Sequence, residues 1–333
     1  MTRRTRKRLV FVLAVLGVFA AGVFINNSSW LHGAPGGAPV LLAHRGLAQG
    51  FDRTGLAGDT CTAARMLPPE HPYLENTIAS MRAAFDLGAD AVELDIQPTT
   101  DGHFAVFHDW TVDCRTDGHG ITREHSLAGL QALDIGHGYT ADGGRTFPFR
   151  GKGIGLMPSL DQVLEAFPGH RFLLNVKSND PAEGELLARY LAALPAERRD
   201  LLAAYGGDRP IGVLRERLPD FRSMSRASIK DCFVTYAALG WTGHVPESCR
   251  RSVLLVPSNV APWLWGWPHR FVARMEAAGT PVFLIGPWGG GFSEGIDDPA
   301  SIADLVADGY AGGIETDRID RLGPELRLRN KPR

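Results

Sequence analysis

The sequence predicts an α/β protein whose parallel strands close into a barrel of eight strands. Short apolar runs alternate with helical segments from residue 40 onward, charged residues follow several of these runs, and 333 residues are enough for one barrel domain. Apolar residues make up 44% of the chain and charged residues 22%, as in ordinary globular proteins. The net charge of -2 gives no general attraction to nucleic acid, so no nucleic-acid partner is expected.

The N-terminus is predicted to be a membrane anchor. Residues 1–8 form a basic tail, and residues 9–25 form an uncharged apolar run of 17 residues, near the shortest length that spans a bilayer. The tail is expected to stay in the cytoplasm, so that one transmembrane helix crosses the inner (cytoplasmic) membrane and the rest of the chain is extracytoplasmic. A cleaved signal peptide is the alternative, although no small-x-small cleavage site follows the run. Residues 26–39 are expected to form a flexible linker.

The four cysteines are expected to form two disulfides. An even number of cysteines in an exported chain favours disulfides over free thiols. Three pairings are possible, and the short separation along the chain favours Cys232 with Cys249, which leaves Cys61 with Cys114. Four free, buried thiols are the alternative. A metal site made of cysteines is not expected, because the chain has no C-x-x-C pair.

The elements of the predicted barrel follow one another along residues 40–316. The nine strand candidates are residues 40–45, 91–97, 104–108, 171–177, 201–205, 221–225, 252–257, 281–286 and 312–316. The helical candidates are residues 76–87, 160–167, 183–194, 211–217, 229–239, 269–278 and 301–308. Eight strands close a barrel, so one of the nine candidates is expected to be an accessory strand or no strand. Residues 47–74 and 136–157 are expected to form long loops on the face where the strands end.

Two carboxylates and two histidines at strand ends carry the chemistry. Glu93 and Asp95 are two residues apart on a predicted strand, so both side chains lie on one face. Adjacent carboxylates repel each other unless a cation lies between them. His44 and His108 each close another apolar run and can move protons on a substrate held at that cation.

The order and spacing of several short motifs resemble the glycerophosphodiester phosphodiesterase family. The motifs are His44-Arg45-Gly46, Glu75-Asn76-Thr77, Gly88-Ala89-Asp90, Glu93-Leu94-Asp95, Thr100-Asp101-Gly102 and His108-Asp109, with Lys177 and Thr316-Asp317 further along. Each motif alone is weakly specific, but six in order at the family's spacing are strongly specific. The resemblance covers roughly residues 40–320, and residues 40–325 are expected to form the catalytic domain.

The resemblance implies a (β/α)8 TIM barrel that hydrolyses glycerophosphodiesters to glycerol 3-phosphate and an alcohol, with a divalent cation, Ca2+ or Mg2+. By this resemblance, His44 and His108 form the acid–base pair. Glu93 and Asp95 bind the cation. Arg45 and Lys177 hold the phosphate oxygens. In this family the neighbouring glycerol hydroxyl is thought to attack the phosphorus, and water then opens the cyclic phosphate.

One departure from the family pattern concerns the cation. The family usually places a carboxylate two residues before the lysine, where this chain has Asn175. An asparagine oxygen can bind a hard cation but brings no charge, so a weaker site is expected unless another acid, such as Glu75, moves in. Glu75 is otherwise expected to orient His44 or Arg45 rather than bind the cation.

Smaller motifs have more ordinary expectations. Asn76 and Thr77 are predicted to cap a helix, and Asp101-Gly102 is predicted to form a hairpin turn. Asp317 is expected either to support the site or to cap a helix. The aromatic residues Trp263, Trp265, Trp267 and Trp288 are expected in the core or at the rim, with contact to lipid or substrate as the alternative.

Two other functions remain open at this point. A lysophospholipase D-like enzyme acting on membrane lipids is one, because the anchor keeps the barrel near a bilayer. A catalytically silent barrel that only binds its ligand is the other, and Asn175 is the only residue that favours it. The sequence does not specify the oligomeric state or the preferred head group.

Overall fold

One sheet of nine strands organises the chain. The structure is a computed structural model that describes residues 3–32, 38–58, 60–290 and 294–329. The strands are β1 Val40–His44, β2 Ala91–Pro98, β3 Phe104–Val106, β4 Arg171–Val176, β5 Leu202–Gly206, β6 Ser223–Ser225, β7 Leu254–Pro257, β8 Val282–Ile285 and β9 Gly313–Thr316. All nine strand candidates are therefore strands, with bounds that differ by at most two residues.

Eight of these strands form a nearly closed parallel barrel. They follow the order β6-β5-β4-β2-β1-β9-β8-β7, and β3 pairs antiparallel with β2 outside this path. The accessory strand is thus β3, joined to β2 by a turn in which Gly102 has a φ of 83°, as its Asp-Gly motif predicts. Between β6 and β7, Ser223 N donates to Arg251 O (3.3 Å) and Ser252 Oγ donates to Ser223 O (3.2 Å). The predicted barrel fold is confirmed.

Helices connect the strands and cover the barrel. The α-helices of the described residues are α1 Arg3–Asn27, α2 Ile78–Leu87, α3 Leu127–Gln131, α4 Leu160–Ala166, α5 Pro181–Ala193, α6 Ala196–Arg199, α7 Asp208–Arg217, α8 Arg226–Leu239, α9 His269–Ala277, α10 Ala303–Ala307 and α11 Ile319–Arg329. Short 3₁₀ helices occupy Ser29–His32, Ala63–Arg65, Thr122–Glu124, Gly240–Thr242, Glu247–Cys249, Ala261–Trp263 and Pro299–Ile302. The helical segment predicted at 301–308 is split between a 3₁₀ turn and α10.

Apolar side chains line the end of the barrel where the strands begin. Leu42, Ala91, Leu173, Val253 and Phe283 form a cluster near the strand starts, four of them on different strands and Val253 directly before β7. Burying each large side chain stabilises the fold by roughly 1.5–3 kcal/mol. A second, larger cluster packs the outer face of the sheet against the helices. Polar residues on the inner face therefore follow this apolar layer, at the carboxyl ends of the strands, where barrels of this kind carry their sites.

The N-terminal helix α1 is long and apolar enough to cross a membrane. The mean hydropathy of its most apolar 18-residue stretch is 2.6, and none of this stretch is buried against the barrel. The basic residues from Arg3 onward belong to the same helix. The expected linker at 26–39 differs from the structure in its first part, because residues 26–32 finish α1 and form a 3₁₀ helix. Residues 1–2 and 33–37 lie outside the described residues.

Both expected disulfides are present. Cys61 pairs with Cys114, and Cys232 pairs with Cys249. The first joins the long loop after β1 to the segment that follows His108. The second joins α8 to the 3₁₀ helix Glu247–Cys249. Each disulfide therefore links two segments that lie outside the strands of the barrel.

Candidate active site

The end of β1 turns sharply and brings His44 and Arg45 to the barrel mouth. Arg45 has a φ of 58° and Gly46 a φ of 80°, both in the left-handed region. Glycine suits the second position, because a Cβ there would lie 2.7 Å from Ser80 Oγ. His44 pairs in register with Glu93 on β2, so both side chains lie on the inner face near the strand ends.

His44 contacts two carboxylates through its two ring nitrogens. Nδ1 lies 2.5 Å from Asp317 Oδ1, and Nε2 lies 3.7 Å from Glu93 Oε2. Burial and Arg45 lower the pKa of His44, but Asp317 and Glu93 outweigh them and raise this pKa to about 9. At neutral pH this imidazole is therefore protonated and can donate a proton.

Asp317 supports the site, as the first of its two expected roles requires. Arg53, from the long loop after β1, places Nη2 2.6 Å from Asp317 Oδ2 and Nη1 2.7 Å from Glu294 Oε2. Burial raises the pKa of Asp317, but His44 and Arg53 reverse this effect and hold it far below its usual value. Asp317 stays ionised, which keeps His44 charged. The sequence analysis missed Arg53 because a lone arginine in a long loop carries no pattern.

His108 is held in the opposite protonation state. Its Nδ1 lies 2.7 Å from Asp109 Oδ1, and Arg115 Nε donates to Asp109 Oδ2 at 2.8 Å. Burial and Arg45 lower the pKa of His108 to about 4, although Asp95 and Asp109 act against this shift. At neutral pH this imidazole is uncharged and can accept a proton.

Four side chains contact the carboxylate of Asp95, and two of them are positively charged. Asn76 Nδ2 and Asn175 Nδ2 each donate to its carboxylate at 2.9 Å. Lys177 Nζ lies 3.3 Å from Oδ1, and Arg45 Nε lies 3.2 Å from Oδ2 without hydrogen-bond alignment. Burial raises the pKa of Asp95, but Lys177 and Arg45 bring it well below its usual value. The carboxylate is therefore ionised and bound by four residues.

The predicted cap role is wrong for Asn76 and right for Thr77. Thr77 caps α2, because its Oγ1 accepts from Ser80 N at 3.2 Å. Asn76 has a φ of 58°, and its side chain both donates to the Asp95 carboxylate and accepts from Asp95 N at 3.1 Å. The residue before a helix cap is thus used to orient a site carboxylate, which its position in the sequence does not reveal.

Glu93 has one carboxylate oxygen without a hydrogen-bond donor. The side chain is fully buried, and Tyr205 OH donates to Oε1 at 2.8 Å. Oε2 has no hydrogen-bond partner among the described residues. Burial and the nearby Asp95 raise the pKa of Glu93. A buried oxygen of this kind costs free energy unless a cation or proton satisfies it.

Glu75 joins the two histidine-bearing segments. Its Oε1 lies 3.0 Å from Arg45 Nη1, and its Oε2 lies 3.1 Å from Arg115 Nη1. Burial raises the pKa of Glu75, but the two arginines lower it below its usual value. Glu75 therefore contacts Arg45, as expected from the sequence, and also Arg115, which in turn holds Asp109.

Glu315 is an acidic residue of the site that the sequence analysis missed. It pairs in register with Leu42, so it lies on the inner face of β9, and it is buried. Burial, Glu93 and Asp317 raise the pKa of Glu315 to about 7, although His44 lowers it. No described residue makes a hydrogen bond or ion pair to its carboxylate. The signal was available, because an acid interrupts an apolar run here as Glu93 does in β2.

A divalent cation fits the chemistry of these residues. Among the described residues, no three carboxylates, imidazoles or thiolates converge on one point. The Oε2 of Glu93, which has no hydrogen-bond partner among the described residues, and the carboxyl oxygens of Glu315 are nevertheless hard ligands of the kind that Ca2+ and Mg2+ prefer. Asp95 would have to release one of its present donors to join them. Asn175 now donates through Nδ2 to Asp95.

A barrel mouth with two imidazoles, several carboxylates and two cationic side chains has the groups that hydrolysis of an anionic ester needs. The sequence profile of the Glycerophosphoryl diester phosphodiesterase family matches residues 44–231, more than half of the chain. The chain belongs to this family.

Individual relatives agree with this assignment. A glycerophosphodiester phosphodiesterase of Caldanaerobacter subterraneus subsp. tengcongensis is 34% identical over 136 residues, which is 39% of this chain and 52% of the relative. The enzyme of the same name from Bacillus subtilis is 36% identical over 114 residues, 33% of this chain and 38% of the relative. The chain thus spans about half the length, or less, of the curated relatives it matches.

Solved structures show the same fold. The glycerophosphodiester phosphodiesterase from Agrobacterium tumefaciens superposes with a TM-score of 0.55 at 22% identity, covering 87% of this chain and 99% of that one. An Oleispira antarctica phosphodiesterase in complex with the product sn-glycerol-3-phosphate superposes with a TM-score of 0.54 at 18% identity, covering 87% and 97%. At these identities the likeness concerns the fold alone.

Proposed function

We propose that this chain is a divalent-cation-dependent phosphodiesterase that hydrolyses glycerophosphodiesters to glycerol 3-phosphate and an alcohol. One observation carries the proposal. His44 and His108 lie at one barrel mouth, each held by its own aspartate, and their pKa values are shifted in opposite directions. An acid and a base are thus both available at neutral pH, as cleavage of a phosphodiester requires. Membership of the family supplies the substrate class.

The two histidines act in sequence on the bound ester. His108, which is neutral, accepts the proton of the attacking hydroxyl. His44, which is charged, donates a proton to the leaving oxygen, so that the alcohol leaves uncharged. Arg45 and Lys177 stabilise the negative charge that grows on the phosphate oxygens. Asp317 and Asp109 hold the imidazoles in place and preserve their protonation states.

The cation site we propose combines predicted and newly found ligands. Glu93, Asp95 and Asn175 are the predicted ligands, and Glu315 adds the carboxylate that Asn175 lacks. Bound there, Ca2+ or Mg2+ supplies a fixed positive charge near the phosphate. A Glu315→Gln variant is expected to bind Ca2+ more weakly in calorimetric titration of the full chain. Unchanged affinity would remove Glu315 from the ligand set.

The test of the activity is release of glycerol 3-phosphate from glycerophosphocholine by the full chain in detergent. We expect turnover that a chelator abolishes and that His44→Gln and His108→Gln each reduce by a factor of about 100 or more. His119→Gln is the matched control, because His119 is exposed and contacts only Asp113 among the described residues. Absence of turnover in the wild type with Ca2+ and with Mg2+ would favour the silent binding barrel.

We also propose that the chain is a single-pass protein of the cytoplasmic membrane. In this arrangement residues 1–8 are cytoplasmic, residues 9–25 span the bilayer, residues 26–39 connect, and the domain at 40–325 is extracytoplasmic. The length and hydropathy of α1 support this, and two disulfides suit an oxidising compartment. Protease added to intact cells should digest the barrel only after the outer layers are opened. Protection of the barrel in spheroplasts, which are cells whose outer layers have been opened, would contradict this orientation.

A lysophospholipase D-like activity on membrane lipids is the second candidate. One observation favours it, since the end of α1 is bonded directly to the barrel. The catalytic domain of an anchored chain would then sit at the bilayer surface. Comparing glycerophosphocholine with lysophosphatidylcholine in the same assay separates the two activities.

A further inference from the structure

Several tryptophans on the segments after α1, β7 and β8 are exposed. Trp30 is 72% exposed, Trp263 83%, Trp265 38% and Trp288 51%. Trp267, by contrast, packs in the core against Phe271 and Tyr310. Exposed aromatic rings are expected at an interaction site when they lie close together.

The last turn of α1 is fixed to the barrel by hydrogen bonds. Asn26 Nδ2 and Asn27 Nδ2 donate to Trp241 O at 3.1 and 2.8 Å. Arg274 Nη1 donates to Asn27 Oδ1, and its Nη2 donates to Asn26 O, both at 2.9 Å. Arg274 lies on α9 and is itself buried. The predicted membrane span therefore has a defined orientation relative to the barrel.

Ring contacts show which part of α1 lies beside Trp241, at the corner of the barrel that the end of α1 contacts. Phe19 and Trp241 pack with centroids 5.6 Å apart, and Phe24 and Trp30 pack at 6.3 Å. Phe19 precedes the end of α1 by eight residues, which is about 12 Å along a helix axis. The ring of Trp241 is thus level with the apolar part of α1. If α1 spans a bilayer, this corner reaches the lipid–water interface.

Further contacts connect this corner to the mouth of the barrel. Trp265 Nε1 donates to Ala237 O on α8 at 2.9 Å. Asn259 Nδ2 donates to Trp288 O, and Trp288 N donates to Asn259 Oδ1, both at 2.9 Å. Asn259 follows β7 and Trp288 follows β8, so both lie on the face where the strands end. Trp263 lies between Asn259 and Gly266 along the chain, and the Gly266 carbonyl oxygen accepts from Ser29 Oγ, just after α1, at 2.5 Å.

We propose that Trp30, Trp241, Trp263, Trp265 and Trp288 form a tryptophan surface that rests on the bilayer crossed by α1. This surface holds the β7–β8 side of the mouth against the membrane. The site then takes phosphodiesters presented by lipids in that bilayer. Tryptophan is enriched at the lipid–water interface because its ring is apolar and its N–H is polar. The inference rests on the proposed function for its substrate, but the surface itself is tested separately.

Quenching by brominated lipids tests the surface without activity. The full chain is placed in nanodiscs of phosphatidylcholine and phosphatidylglycerol, with or without bromine on the acyl chains. We expect bromine to quench tryptophan emission and the quenched component to fall in a Trp263→Ser, Trp288→Ser variant. Trp110→Ser is the control, because Trp110 is 48% exposed but follows β3, away from β7 and β8. It should leave the quenched component unchanged.

Activity then tests the delivery of lipid. The same double variant is expected to lose about tenfold in kcat/KM for lysophosphatidylcholine embedded in the nanodisc and to retain its activity on soluble glycerophosphocholine. An equal loss on both substrates would overturn the delivery role, since it would indicate damage to the barrel.

Quenching that the double variant leaves unchanged would overturn the proposed tryptophan surface. The finding of two chains per nanodisc, packed so that these rings face each other and not the lipid, would also overturn it. If the wild type cleaves neither substrate while quenching is as expected, the proposed function fails and the surface stands.

Discussion

Removing the disulfide between Cys61 and Cys114 is expected to lower activity as well as stability, whereas removing the disulfide between Cys232 and Cys249 lowers stability alone. The first bond lies beside the site, since its neighbour Thr62 accepts from Arg115 Nη2 at 2.6 Å through Oγ1. The second bond joins α8 to a short 3₁₀ helix behind the barrel.

The stability cost follows from the loops that the bonds close. The cysteines are 53 residues apart in the first bond and 17 in the second. With the chain-entropy model, these separations correspond to losses of about 4 and about 3 kcal/mol on replacement of both cysteines by serine. The two losses are similar, so the second pair is a matched control for the first.

The activity cost follows from the residues that the first bond holds. It ties the loop that carries Arg53, which binds Asp317, to the segment that carries Arg115, which binds Asp109. Loosening this tie weakens the support of both His44 and His108. A misplacement of catalytic groups of about 1 Å can cost about 100-fold in rate. We expect a loss of about tenfold or more in kcat for this pair.

The assay compares urea unfolding with turnover of glycerophosphocholine per folded molecule. Both variants are measured at a temperature at which circular dichroism shows them folded. Full kcat in the Cys61→Ser, Cys114→Ser variant, at a stability loss similar to that of the other pair, would refute the view that this loop is part of the site.

Replacing Asn175 with glutamate adds a carboxylate beside Asp95 and is expected to tighten Ca2+ binding about tenfold in calorimetry; equal affinities would reject a weak site. The pKa of His44 is raised from 6.5 to about 9, so its charge stabilises the fold below about pH 6.5, and this stabilisation is lost as the pH rises through 9. Asp317→Asn should therefore cost up to about 3 kcal/mol more at about pH 6 than at about pH 10 in urea unfolding, and a pH-independent cost would argue against the ion pair. Thr77→Ala removes the cap of α2 and should cost about 1 kcal/mol of unfolding free energy by the same method, whereas no loss would contradict the capping role.

The barrel was predictable because its signals are local. Apolar runs mark most of the strands, with β6 (Ser223-Met224-Ser225) as an exception, and the Asp101-Gly102 turn marks the hairpin that makes β3 an accessory strand. The residues that motifs name lie on these strands or close to them: His44 is the last residue of β1, Glu93 lies within β2, and His108 lies two residues after β3. His44 and Glu93 meet at one mouth because parallel strands all end on the same face, and His108 reaches that mouth because β3 pairs antiparallel with the end of β2.

The supporting residues were not predictable because their partners are distant along the chain. Arg53 contacts Asp317, which is 264 residues away, and no local pattern connects them. Asn76 occupies a position that normally belongs to a helix start, and only the fold shows that it binds Asp95 instead. Glu315 carried a readable signal, but the number of acids that meet in a barrel depends on register, which the sequence does not specify.

A crystal structure of the full chain with sn-glycerol 3-phosphate and Ca2+ tests the central claim most directly. A cavity of about 550 Å³ opens at the end of the barrel opposite the histidines, among residues such as Leu42, Leu173 and Phe283, and offers an alternative place for the ligand. We expect the phosphate to bind Arg45 and Lys177 between the two imidazoles. A phosphate in the opposite cavity, or imidazoles that both point away from it, would contradict the account.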